Sequence, residues 1–489
     1  MLHKKFLLLL WALVCTGSAI AQNTSFHEFR KELFDEYSTF RNSILDKYDK
    51  FLERTWSEYD SFRGESRYPV PKPSVAPRVT DFPSTTIPSG KIREIEPITD
   101  MSRPQKEDPQ TSSETPATTS NQSSPIPFCF PFFGMDLQIP SIDFNISIQI
   151  TNTRDYAEQW RELEKNGIAD QLLPYLEALS THCSLNDYLK YELLSAYVHH
   201  RFVDTPISSR ISLVHYLLTH LGYDARIAVN GVGHPLILIP FQQDVYAHPY
   251  LVLDNRKYYV FSEEKLDMDL PENRRISTYD LPVDSYAGNI MDLTLTGLNL
   301  PYEPHHFDIA SENLRIHGEV NKNIFKVLYN YPQMPTSDFA RSEVCPDVRR
   351  NIVEQLAFQL DGMSQTESVN SLLTFVQSFD YSADEDSHGF EKPYFFEEML
   401  FYPQCDCEDR AIFYTYLLWN VLGVENHLIC YPGHESAAVN LSEEIRGDAY
   451  IYQGSRFYIS DPTYIGSSTG MCMPMFANET PQIDYIYKK

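Results

Sequence analysis

A pattern in the middle of the chain returns about 200 positions later. Arg210, Tyr216, Leu217 and Leu218 recur as Arg410, Tyr416, Leu417 and Leu418. Leu221-Gly222 recurs as Leu422-Gly423 with one extra residue, His234 as His434, and Tyr259 as Tyr458. Upstream, Leu193-Leu194 recurs as Leu372-Leu373. Both copies read helix, helix ending in Leu-Gly, strand, histidine, strand and hairpin strand, which predicts two related α+β domains. The length agrees, since 489 residues are too many for one ordinary core.

Ahead of the repeat lie three segments of different character. Residues 1–21 read as a signal peptide: Lys4-Lys5, an apolar run from Phe6 to Val14 too short to span a bilayer, and Ala19-Ile20-Ala21 as the cleavage site. A lipoprotein reading through Cys15 is disfavoured by the bulk of Val14. The protein is therefore expected to be exported, to a periplasm, the cell surface or the medium. From Phe26 to Phe62 the apolar positions follow an 11-residue repeat (Phe29, Phe40, Phe51, Phe62 on one register; Tyr37, Tyr48, Tyr59 on another). Eleven residues make three turns of about 3.67 residues, so the stripe stays on one helix face. Ser25 and Glu28 form its capping box. Residues 22–63 are thus expected to be an amphipathic helix that docks on a partner or on itself through positions 25–62. Pro, Ser and Thr dominate residues 64–127, which predicts an extended linker that tethers the helix away from the body. Residues 128–310 and 311–489 are then the two domains, with strands expected at Phe128–Phe133 and Ile142–Ile150.

Charge excludes one class of partner. With 67 Asp and Glu against 40 Lys and Arg the net charge is -27, and -29 once the two lysines of the signal peptide are gone. Phosphates would be repelled, so nucleic acid is not an expected partner.

What the two copies do not share points to chemistry. The second helix of the second copy opens at Asp406-Cys407-Glu408-Asp409-Arg410, whereas Ile207 stands opposite Cys407 in the first copy and Ser262 stands near the position of Asp461. Leu194 to Arg210 spans 16 residues and Leu373 to Arg410 spans 37, so the second copy gains 21 residues just ahead of the cysteine. A cysteine at a helix N-terminus, a histidine on the next strand and a carboxylate on its neighbour supply nucleophile, base and orienter in chain order. Cys407, His434 and Asp461 are therefore the expected catalytic residues. Asp406, Glu408 and Asp409 oppose this by raising the thiol pKa, with only Arg410 close in sequence to offset them, and side-chain direction decides the contest. The insert, roughly Asp384 to Pro403, is expected to wall a cleft with Tyr394 and Phe396 as substrate-binding residues and Glu397 and Glu398 as a charged rim; the competing account is that it covers core.

Cys407-x-Asp409 opening an apolar helix, Leu422-Gly423 ending it, His434 in Tyr431-Pro-Gly-His-Glu-Ser-Ala-Ala-Val, and Phe457-Tyr-Ile-Ser-Asp461-Pro-Thr463 together resemble the transglutaminase-like superfamily, a branch of papain-like cysteine enzymes. The motifs cover about Leu372 to Gly470, and the weaker first copy extends the likeness to about Asp155–Glu264. The resemblance implies a helix bearing Cys407 packed on an antiparallel sheet holding His434 and Asp461. It also implies a peptidase, amidase or acyltransferase acting on peptide or protein amides without a cofactor. Better-known members follow the histidine with a small residue and Trp, whereas Glu435-Ser436-Ala437 follows here, so glutamine–lysine cross-linking is not implied. The other class of function is a non-catalytic envelope binding protein built on two papain-like folds.

Seven cysteines remain after the leader, so they cannot all pair within one chain. Zinc at Cys405, Cys407, Cys430 and His434 is disfavoured because Cys-x-Cys lacks the usual gap of zinc pairs, and no metal is expected. Cys405 and Cys472 are possible disulfide partners of Cys407. The Cys407 N–H is the expected first oxyanion donor, with Gln377 a guess for the second. His234, with no nucleophile before it, reads as a structural histidine.

Overall fold

A computed structural model describes residues 74–76, 92–95 and 127–488, apart from 147, 265, 268–269 and 280–287. The expected signal peptide and the striped helix lie outside the described residues.

The chain is a mixed α+β structure built on two largely antiparallel sheets. In the first half, four helices precede a five-stranded sheet: Thr153–Lys165, Ile168–His182, Asp187–Arg201 and Ile207–His220. Its strands lie in the order Tyr250–Leu253, Arg256–Phe261, Pro235–Ile239, Arg226–Val229, Ser277–Thr278. In the second half, Pro346–Leu360, Gln365–Gln377 and Cys407–Leu422 precede a sheet ordered Ile92–Ile95, Ala449–Tyr452, Ser455–Ile459, His434–Val439, Asn426–Tyr431, Gln482–Tyr487. With the added strand Ile92–Ile95 set aside, the two orders are the same. Each sheet has the strand after the long helix next to last in this order, its hairpin partner in the middle, and the last strand of the order antiparallel to the strand after the helix.

Local chemistry sets the long helix of the second half. Asp406 precedes it and Asp409 accepts the Asp406 N–H at 3.0 Å, a capping box made with two aspartates. Gly423, at φ 62°, ends it in the left-handed conformation that a side chain would strain. Phe413, Leu417 and Leu418 are fully buried, and the helix packs on the strand His434–Val439. The corresponding helix Ile207–His220 is likewise buried along Leu213, Leu217 and Leu218.

Four boundaries differ from those expected of the sequence. The division between 310 and 311 falls in the turn of a hairpin, Pro304–Ala310 with Arg315–Asn321, paired over its whole length. Phe307, Leu314, Ile316 and Val320 alternate inward onto the second core, which fixes this hairpin to the second half. The first strand is Pro127–Phe132, close to expectation, but its partner is Met135–Pro140. Described residues of Ile142–Ile150 form no strand, because their backbone bonds instead to helix side chains: Ile150 N–H donates to Ser208 Oγ at 3.1 Å and Ser209 Oγ donates to the Ile148 carbonyl. Finally, the expected free linker touches the body twice. Ser74–Val75 pairs with Tyr464–Ile465, and Ile92–Ile95 pairs in parallel with Ala449–Tyr452, whose outer edge offers unpaired backbone groups.

Candidate active site

Three elements bring Cys407, His434 and Asp461 to one place. Cys407 is the first residue of the long helix, His434 the first residue of its strand after the Pro432-Gly433 turn, and Asp461 follows the strand Ser455–Ile459 by two residues. His434 Nε2–H donates to Asp461 Oδ2 at 2.9 Å, with both side chains all but fully buried. The other carboxylate oxygen of Asp461 accepts the Thr463 N–H at 2.8 Å, so the carboxylate is held at both ends. Phe476 stacks on the imidazole with centroids 5.1 Å apart and planes within 4°. This leaves His434 Nδ1 buried without a hydrogen-bond partner.

The thiol does not fill that vacancy. Cys407 Sγ, 1% exposed, donates to Glu408 Oε2 at 3.1 Å and receives the backbone N–H of Glu435, the residue next to His434. Burial, and then the charges of Glu408 and Asp406, push the thiol well above its ordinary value. The contest among the flanking charges is settled by direction. Asp409 turns away to cap the helix and to accept the Tyr394 N–H at 2.7 Å. Arg410 also turns away, to the carbonyls of Phe379 and Pro462 at 2.5 and 3.4 Å and to Cys405 Sγ at 3.5 Å. Glu408 and Asp406 remain against the sulfur, their carboxylates within 4.8 Å of it.

The loop carrying Asp461 is clamped from several sides. Gln377 gives its side-chain N–H groups to the Tyr464 carbonyl at 2.9 Å and to Ser467, and its oxygen accepts the Gly466 N–H at 3.1 Å. It is a clamp for this loop, and its amide is not available as an oxyanion donor. Gly447 passes so near Gly470 that an added Cβ would lie 2.4 Å from the Gly470 carbonyl oxygen.

The insert is core rather than cleft wall. Tyr394 and Phe396 are each 1% exposed. The Tyr394 hydroxyl bonds to His388 Nε2 at 2.6 Å and to the Gln404 carbonyl at 3.2 Å, while Phe396 stacks on Phe413 at 4.5 Å. Glu397 and Glu398 are fully buried ion-pair partners of Arg349 and Lys392, at 2.7 and 2.6 Å, and form no rim. Polar groups of an insert point inward when cations wait there, and a pattern of acids and aromatics does not reveal which way they turn.

No protein-family model and no curated protein matches the chain.

Sequence reasoning missed a second feature of the site. Carboxylates of Asp384, Glu391, Asp406 and Glu408 approach within 4.8 Å of one another beside the thiol, and Cys430, Glu435 and Asp484 form a similar group on the neighbouring strands. Burial, then Glu408, pushes Asp384 up to about 8, and burial, then Glu408, likewise pushes Asp406 well above the usual carboxylate range. Neither group contains the set considered for zinc: among the described residues Cys405, Cys407, Cys430 and His434 do not converge. The seven cysteines among the described residues are free thiols, and Cys405, held between Arg410 and the Asp380 carbonyl, is turned away from Cys407.

The first half shows what the same elements do without a thiol. Ile207 opens its helix where Cys407 opens the other. His234 Nδ1 lies 3.3 Å from Glu264, and Arg210 is held bidentate by Glu263, with Nη2 2.5 Å from Oε2. Among the described residues no helix is long and apolar enough to cross a membrane.

Proposed function

We propose that the chain is an exported transglutaminase-like cysteine hydrolase or acyltransferase acting on amide bonds of peptides or proteins, with a degenerate first copy of the same fold. The observation that carries this reading is the imidazole of His434, fixed by Asp461 at Nε2 with its Nδ1 unpartnered, next to a cysteine at a helix N-terminus. Cys407 attacks the scissile carbonyl, its proton passing to His434 Nδ1. His434 then protonates the leaving amine while Asp461 holds its tautomer, and water or a second amine releases the acyl group. The identical strand order and the isoleucine in place of the thiol support a first half that serves as scaffold or binding module.

For the thiol to react, its side chain leaves Glu408 and turns to Nδ1. The alternative, a binding protein of the envelope, draws on the thiol's burial and its bond to Glu408. Alkylation with iodoacetamide, mapped by peptide across pH 6–9, separates the two. Enzymatic poise predicts preferential labelling of Cys407 at neutral pH and a several-fold drop in His434→Ala. Uniform, slow labelling of Cys407 that ignores His434→Ala supports the binding protein.

A further inference from the structure

A cavity of about 340 Å³ opens between the two halves of the molecule, and nothing in the triad chemistry accounts for it. Its walls are aromatic: Tyr246 and Phe261 from the first half, Tyr329 and Phe390 from the second, the last two packed edge to face at 5.8 Å. Glu391 stands at its edge. That carboxylate reaches within 4.8 Å of those of Asp384, Asp406 and Glu408, and Glu408 lies 3.1 Å from the thiol. Glu391 therefore joins the cavity to a cluster of carboxylates whose members Asp406 and Glu408 lie against the sulfur.

Two of these acids are built as acceptors awaiting a donor. Asp384 and Asp406 are 2% and 4% exposed, and each has a buried Oδ1 with no hydrogen-bond partner. A buried acceptor left unbonded costs about 1–3 kcal/mol, so two of them side by side call for a ligand that brings N–H groups and positive charge together. Lys392, the lysine on the cavity wall, is already committed to Glu398 at 2.6 Å. Aromatic faces and carboxylates together favour an organic cation, whose stem packs on the rings while its head meets the acids.

We propose that the site selects peptides carrying a lysine or arginine one or two residues from the amide that Cys407 attacks, the stem lying in the aromatic cavity and the cationic head against Glu391, Asp384, Asp406 and Glu408. This rests on the reading of Cys407 as the nucleophile. It has a consequence for the chemistry. The carboxylates of Asp406 and Glu408 lie within 4.8 Å of each other and of the sulfur. A cationic head offsets the charges of Glu408 and Asp406, which help hold the thiol protonated, so a basic substrate activates the group that attacks it.

Two acyloxymethyl ketone probes of the full chain, Ac-Gly-Lys and Ac-Gly-Leu, test this against each other. The lysine probe is expected to label Cys407 at least tenfold faster at pH 7, and Glu391→Gln, an exposed position, is expected to reduce that gap to under threefold. Equal rates for the two probes overturn the substrate class and leave the cysteine-enzyme reading standing. Failure of both probes, with Cys407 also inert to iodoacetamide, removes the enzyme reading and this proposal with it. Stoichiometric binding of Ca²⁺ alone that is lost in Glu391→Gln, with no difference between the probes, assigns the carboxylates to a metal ion and overturns the proposal as well.

Discussion

At the scale of the residue, the decisive quantity is the direction of Glu408. The three motifs that bring Cys407, His434 and Asp461 together are each contiguous in sequence, which is why they were legible. The choice of which neighbouring charge faces the sulfur is a rotamer, and no spacing encodes it. Because burial, and then Glu408, raise the thiol pKa, the thiolate fraction at neutral pH is small and grows about tenfold per pH unit until the raised value is reached. Glu408→Gln removes the charge while keeping the length of the side chain. The alkylation rate of Cys407 is expected to rise by several-fold at pH 8, with the whole rate–pH curve displaced toward lower pH. An unchanged curve would mean that burial alone holds the proton.

At the scale of the element, the 21 residues added before Cys407 illustrate what composition hides. Their presence and position were legible from the spacing of the two copies. Their role was not, because Glu397 and Glu398 look like surface acids until Arg349 and Lys392, distant in sequence, are placed beneath them. Arg349, 2% exposed, holds Glu397 through two bonds of 2.7 and 2.9 Å and lies 4.8 Å over both Phe396 and Tyr416. Arg349→Leu leaves a buried carboxylate alone, and the expected loss of stability is about 3–5 kcal/mol by urea denaturation. Adding Glu397→Leu to it is expected to restore most of that loss, since a buried pair replaced by apolar groups is often neutral. A single substitution costing under about 1 kcal/mol would show that the insert is not anchored through this pair.

At the scale of the whole molecule, the repeat of the sequence and the common strand order of the two sheets agree, yet the sheets differ at one edge. The first ends at Tyr250–Leu253, and the second carries one more strand, Ile92–Ile95, beside Ala449–Tyr452. Composition pointed the other way here: Pro, Ser and Thr around the strand mark a linker, while four residues suffice to occupy an open edge once the body has formed. A parallel strand of this length is bound by backbone ladder bonds, and alternate amides face the partner. Proline at both Arg93 and Glu94 removes an amide of each alternation, so at least one ladder bond is lost whichever way the strand is turned. In the full chain, amide hydrogen exchange at Tyr450–Tyr452 is expected to quicken by tenfold or more in this double variant. Exchange at Leu428–Tyr431, on the far side of the same sheet, is expected to stay as it was. If both sets stay protected alike, the edge strand contributes nothing to the sheet and the segment from 92 to 95 is a tether after all; if both quicken, the strand supports the whole sheet that carries His434.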